Sequence, residues 1–97
     1  MGLIIKWTLR AKADYIAILE YLDVNWTKKE LQKFTNKTNA IIVQIAENPQ
    51  AFPSSKRKDI RKCGLIKQVS IYYRIKKNEI ELLTFWDNRR KPKKLKL

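Results

Sequence analysis

The chain has 97 residues, 44% of them hydrophobic and ten of them aromatic, with 22 Lys and Arg against nine Asp and Glu, a net charge of +13. That length leaves no room for two independent cores, so residues 1–97 are expected to form a single domain, and the apolar content excludes wholesale disorder. No run of about 18 apolar residues is present to span a membrane, and the lone Cys63 has no partner for an internal disulfide.

The opening apolar run, Leu3 to Ile5, is too short for a secretory signal, and Gly2 lacks the Ser or Thr at position 6 that myristoylation requires. With an unpaired cysteine, these features predict a protein of the reducing cytoplasm. The first element, "LIIKW" at residues 3–7, has the β-branched character of a strand. Thr8 then offers a helix N-cap, and Ala11, Tyr15, Ile18, Leu19 and Leu22 recur at helical spacing. Helix one is expected to reach about Asp23, with "DVN" breaking it. In "NWTKKEL", Thr27 and Glu30 stand at the spacing of a capping box, and Trp26 and Leu31 at that of a hydrophobic staple. Leu31, Phe34, Thr38, Ile41, Ile42 and Ile45 continue as an apolar stripe until Asn48-Pro49 stops the helix.

Residues 48–58 read as a polar loop with two prolines, followed by a weak strand over 59–63 that Gly64 ends. Beyond it the period changes to two. Val69, Ile71, Tyr73 and Ile75 alternate with Gln68, Ser70, Tyr72 and Arg74, the pattern of a half-buried strand. "KKNE" at 76–79 is a turn, and "IELLTFW" at 80–86 is the return strand. Strict alternation would put Ile80, Leu82, Thr84 and Trp86 on one face. Its apolar residues on both faces predict a central strand. The expected architecture is α+β: an N-terminal strand, a two-helix hairpin, then three antiparallel strands packed on the helices.

Charge is distributed unevenly. Residues 1–53 hold seven cations against five acids, whereas residues 54–97 hold fifteen against four, a net +11. Solubility alone needs no such asymmetry. The expected partners are anionic: nucleic acid, the ribosome or an acidic protein. The basic tail, from about residue 88, follows the return strand with almost no linker, so its cations are expected to be held at the end of a stiff strand.

Taken in order, the tryptophan after the first strand, "A…YI…LEYL", "F…I…I..NP", "IR", "IYYRI" and "FWDNRRKPKK" resemble the RelE/ParE superfamily of bacterial toxins, over almost the whole chain. The resemblance implies a toxin of a type II toxin–antitoxin pair. Such a toxin inhibits bacterial growth and is silenced by a cognate antitoxin that wraps a C-terminal segment around it, giving oligomers through the antitoxin. RelE-like members cut messenger RNA in the ribosomal A site without a metal. ParE-like members inhibit DNA gyrase and cut nothing.

Metal-free RNA cleavage needs groups to move protons from the 2′-OH and to the 5′-oxygen, and cations to stabilise the phosphorane. The chain contains no His. Where RelE-like nucleases carry a basic residue in the strand matching "VSIYYRI", this sequence has Ser70, and its tail has neither the Tyr nor the His common in their last helix. Arg61 and Arg89 do match functional basic positions of the superfamily. If the chain is a nuclease, Arg61, Arg89 and Tyr72 are the catalytic candidates. Asp59, Glu79, Glu81 and Asp87, the acids of the basic half, suit pairing better than a two-metal site, so no metal and no cofactor is expected. The leaning is to ParE-like gyrase inhibition, with Arg61, Arg74, Arg89, Arg90, Lys91 and Lys93 as target-binding candidates. The alternatives are a RelE-like nuclease, or a non-toxic nucleic-acid-binding module. Lys93, Lys94 and Lys96 could equally form a loose tail that steers encounters.

Overall fold

The computed structural model describes residues 3–57 and 59–97; Gly2 and Lys58, the last residue of the expected loop, lie outside them. Strand β1 (Ile4–Trp7) leads into α1 (Leu9–Asn25) and α2 (Lys28–Glu47). Strands β2 (Ile60–Ile66), β3 (Val69–Lys76) and β4 (Glu79–Asp87) follow. The sheet order is β1-β4-β3-β2, with β1 parallel to β4 and the other pairs antiparallel. The order of elements and the α+β class agree with the sequence reading, and β4 is central.

Both helix starts form as their residues dictate. The Thr8 hydroxyl accepts from the Ala11 amide at 3.0 Å and donates to the Leu82 carbonyl at 2.8 Å, so one side chain caps α1 and ties it to β4. At α2 the Glu30 amide donates to the Thr27 hydroxyl and the Thr27 amide to the Glu30 carboxylate, each at 3.1 Å, closing the capping box. Helix α1 runs two residues further than expected. The Trp26 amide donates to the Leu22 carbonyl at 2.7 Å, and the Asn25 side chain caps the Tyr21 carbonyl, so "DVN" continues the helix.

The helices cover one face of the sheet. Ala11, Leu22, Phe34 and Ile45 pack there against Val69, Ile71, Tyr73, Ile80, Leu82 and Phe85. Trp7 stacks on Phe85 with ring centroids 5.2 Å apart, and Tyr15 lies 4.9 Å from the same ring. Cys63 is fully buried among these residues as a small apolar filler.

Three further expectations are corrected. Gly64 does not end β2; the strand continues to Ile66 across a register shift between Gly64 and Ile66. A glycine within a strand here marks a bulge rather than a stop. The regular alternation along β4 also fails, because Tyr72 opposes Thr84 while Tyr73 opposes Leu82, leaving Leu83 as an extra residue. That bulge reverses the parity beyond it. Phe85 faces the helices, and Trp86 joins Ile60, Tyr72 and Leu95 on the opposite face. Third, the basic tail is not loose. After the single turn Pro92–Lys94 it returns over this second face, and Leu95 is 3% exposed against Trp86 and its neighbours. Burying a leucine side chain is worth about 1.5–3 kcal/mol, which opposes the release of so short a segment.

Candidate functional site

The second face of the sheet is built from side chains that alternate away from the helices. Its floor is Ile60, Tyr72 and Trp86, with Leu83 at the margin and Leu95 as the cover. Cations ring this floor. The Arg90 guanidinium lies 4.4 Å from the Trp86 ring centroid, and the Lys62 ammonium 5.8 Å from that of Tyr72. Arg57 donates to the Leu95 carbonyl and Arg10 to that of Lys96, so two arginines from distant parts of the chain fasten the tail. Lys91, Lys93 and Lys94 are exposed around the tail turn and have no ion-pair partner among the described residues.

On the helix side, a groove of about 440 Å³ opens between α1 and the far ends of β3 and β4. Ile18, Leu22, Trp26, Val69 and Phe85 give it an apolar base, and Asp14, Asp87, Arg89 and Arg90 line its polar part. Arg89 is committed to Asp87. Its Nε and a terminal nitrogen donate to the two carboxylate oxygens at 3.0 and 2.9 Å, and its backbone amide adds a bond of 2.9 Å. That set of bonds holds the Asp87 carboxyl below the usual carboxylate range and raises Arg89 further above neutrality. The guanidinium also lies 6.0 Å from the Tyr21 ring centroid.

The structure therefore separates the residues nominated from sequence. Arg61 pairs in register with Tyr73, on the helix side, and donates to the Phe52 carbonyl at 2.6 Å. The neighbouring Tyr73 hydroxyl donates to Pro49 at 2.6 Å, so both side chains hold the loop after α2. Tyr72 lies on the opposite face, 8% exposed beneath the tail. Arg61, Tyr72 and Arg89 are not brought together. Burial pushes the Tyr73 hydroxyl up to about 12 and the Cys63 thiol up to about 11, so both stay protonated at neutral pH. Arg74 pairs with Glu81, which also meets Lys76, each at 3.5 Å, and Glu79 pairs with Lys6 at 3.7 Å. Ser70, where a nuclease cation was sought, accepts from the Asn88 side chain at 2.9 Å.

Sequence reasoning missed Arg10, Arg57, Asp14 and Leu95. Asp14 accepts from the buried Thr84 hydroxyl beside the β4 bulge. Of these, only Leu95 left a signal: an apolar residue amid "KPKKLKL" is out of place in a purely solvated tail.

A strand, two helices and a three-stranded meander, with a cation-ringed second face, define a small α+β toxin fold of the RelE/ParE type. A family model described as the ParE toxin of the type II toxin–antitoxin system parDE matches residues 5–92, and the chain belongs to that family. Among solved structures, the chromosomal ParDE system of P. aeruginosa is similar at 24% identity and TM-score 0.75, over 89% of this chain and 96% of that one. The YoeB dimer of Staphylococcus aureus is similar at 17% identity and TM-score 0.61, covering 89% and 97%. The DinJ–YafQ toxin–antitoxin complex of E. coli matches at 9% identity and TM-score 0.65, covering 92% and 96%. At these identities the likeness shows the fold alone. A search of curated proteins gave no significant match.

Proposed function

We propose that this type II toxin arrests bacterial growth by binding DNA gyrase, without cutting RNA, and that a cognate antitoxin neutralises it by occupying its apolar groove and masking its cations. The family match supports the class. The non-hydrolytic reading rests on one observation. Arg61, Tyr72 and Arg89, the residues on which metal-free cleavage would depend, lie in different places, and each is engaged within the molecule. The chain has no His, and Tyr73 and Cys63 are both shifted upward, so neither of these two groups is poised as a general base near neutrality.

What the arrangement can do is bind. Arg90, Lys91, Lys93 and Lys94 present positive charge from a segment anchored at Asp87 and Leu95, so their position is defined when a target arrives. These residues contact the target in this reading. Arg61, Arg74 and Arg89 mainly shape the surface that carries them. The antitoxin segment that fits is amphipathic and acidic, with apolar residues for the groove of Trp26 and Phe85 and carboxylates for its rim. Toxin and antitoxin then form a joint oligomer.

Inducing the chain alone in bacteria is expected to stop growth, and replacing Arg90, Lys91 and Lys93 together by alanine is expected to relieve the arrest while leaving the fold intact. Unimpaired growth with soluble, folded wild-type chain would overturn the toxin reading. Full arrest by the triple variant would overturn the assignment of its contact residues.

A further inference from the structure

Helix α1 has two apolar faces. Ala11, Leu22, Tyr15 and Ile18 turn inward onto the sheet, and the opposite stripe follows at the same spacing with Leu9 85%, Ile16 54% and Val24 84% exposed. A surface helix normally keeps one apolar stripe and covers the other side with polar groups. The outer stripe is also symmetric about its own middle. Leu9 and Val24 lie equidistant from the point between Ile16 and Ala17, and Ala13 and Glu20 are related by the same point.

The charges follow that symmetry with opposite signs. Lys12 lies on one flank of the stripe near the helix start, Asp23 on the same flank near its end, and Glu20 between Asp23 and the centre line. All three are exposed and have no ion-pair partner among the described residues. Within one helix this order is unfavourable, because a helix stabilises acids in its first turn and cations in its last, and α1 has neither there. Turned antiparallel against a copy of itself, the same order becomes favourable. Equal flanks meet in an antiparallel pair, so each Lys12 comes opposite the partner's Glu20 and Asp23, Leu9 meets Val24, and Ile16 packs on its own symmetry mate. A two-fold interface requires this kind of self-complementarity.

We infer that the outer face of α1 is a homodimer surface, through which two copies of this chain associate by antiparallel helix pairing. Glu20 and Asp23 give α1 a small local excess of acid, in the half of the chain whose net charge is only +2, so the helix itself does not add to the repulsion between two basic chains, although Arg10 holds the basic tail beside its first turn. Specific interfaces start at about 1,000 Å² of buried surface, and one seventeen-residue helix against another is near that floor. The dimer is therefore expected to be weak and reversible.

Sedimentation velocity on the purified full chain, from about 1 to 100 µM, tests this. Dimer is expected to build up with concentration. Ile16→Asp is expected to weaken it at least about tenfold and Lys12→Glu roughly three- to tenfold. Combining Lys12→Glu with Glu20→Lys and Asp23→Lys is expected to restore it, because the swapped charges pair across the two-fold and also suit the helix dipole. Circular dichroism monitors folding. A monomer throughout the range overturns the inference, as does a dimer that the charge swap fails to rescue. So does a monomeric chain in which Ile16→Asp abolishes antitoxin binding, since the face would then belong to the antitoxin. None of these readings depends on whether gyrase is the target.

Discussion

Asp87 and Arg89 show how a residue nominated for function from sequence can also be bound into the fold. The carboxylate accepts three bonds from Arg89, and its pKa is depressed chiefly by the side-chain bonds. A carboxyl whose folded value lies below its unfolded one stabilises the fold fully above the unfolded value of about 3.9. That contribution is lost as pH falls through the lower folded value. In carbon-detected NMR titration, Asp87 is expected to titrate below the ordinary range, and Arg89→Ala should move it upward, because the bonds that chiefly depress it are gone. An unchanged Asp87 titration in that variant would contradict the assigned bonds. Arg61 makes a parallel case. Its bond to Phe52 holds the loop after α2, so Arg61→Ala should cost about 1–3 kcal/mol in denaturant unfolding. Loss of activity at unchanged stability would instead place Arg61 in the target interface.

At the scale of elements, the two helix caps, the helical stripes and the period-two strand were legible because each rests on residues close in sequence. Thr27 and Glu30 needed only their spacing, and Thr27→Ala should destabilise the chain by about 1 kcal/mol in thermal melts. The β4 bulge was not legible. Ile80 to Trp86 is apolar on both faces, so one extra residue at Leu83 leaves no mark in the pattern, although it moves Trp86 from the helix face to the other. The face of Arg61 depends on its pairing with Tyr73, a property of the β2–β3 register. The tail was misread because its charge outweighs one leucine in any composition-based reading. Leu95→Ala should cost roughly 2 kcal/mol and expose the Trp86 ring, seen as added iodide quenching of tryptophan fluorescence. Equal quenching in wild type and variant would contradict the folded-back tail.

Viewed as a whole, the molecule sorts its charge by face. Cations of the tail surround an aromatic floor on the second face, while the helix side offers an apolar groove with mixed charge at its rim. In the proposed reading, one chain meets a macromolecular target and an antitoxin through different surfaces that adjoin at Arg90. Binding that depends on these cations should weaken with salt, because exposed charges are screened within about 8 Å at physiological ionic strength. The candidate site was legible as a location, the basic end of β4, but not as a geometry. Adjacent Arg89 and Arg90 diverge, one to Asp87 and the groove and the other onto Trp86.

The most direct measurement sets purified chain against two substrates in parallel: negative supercoiling by DNA gyrase, and messenger RNA on translating ribosomes. The expected result is inhibited supercoiling with every transcript intact. Cleaved transcripts beside fully active gyrase would contradict the account.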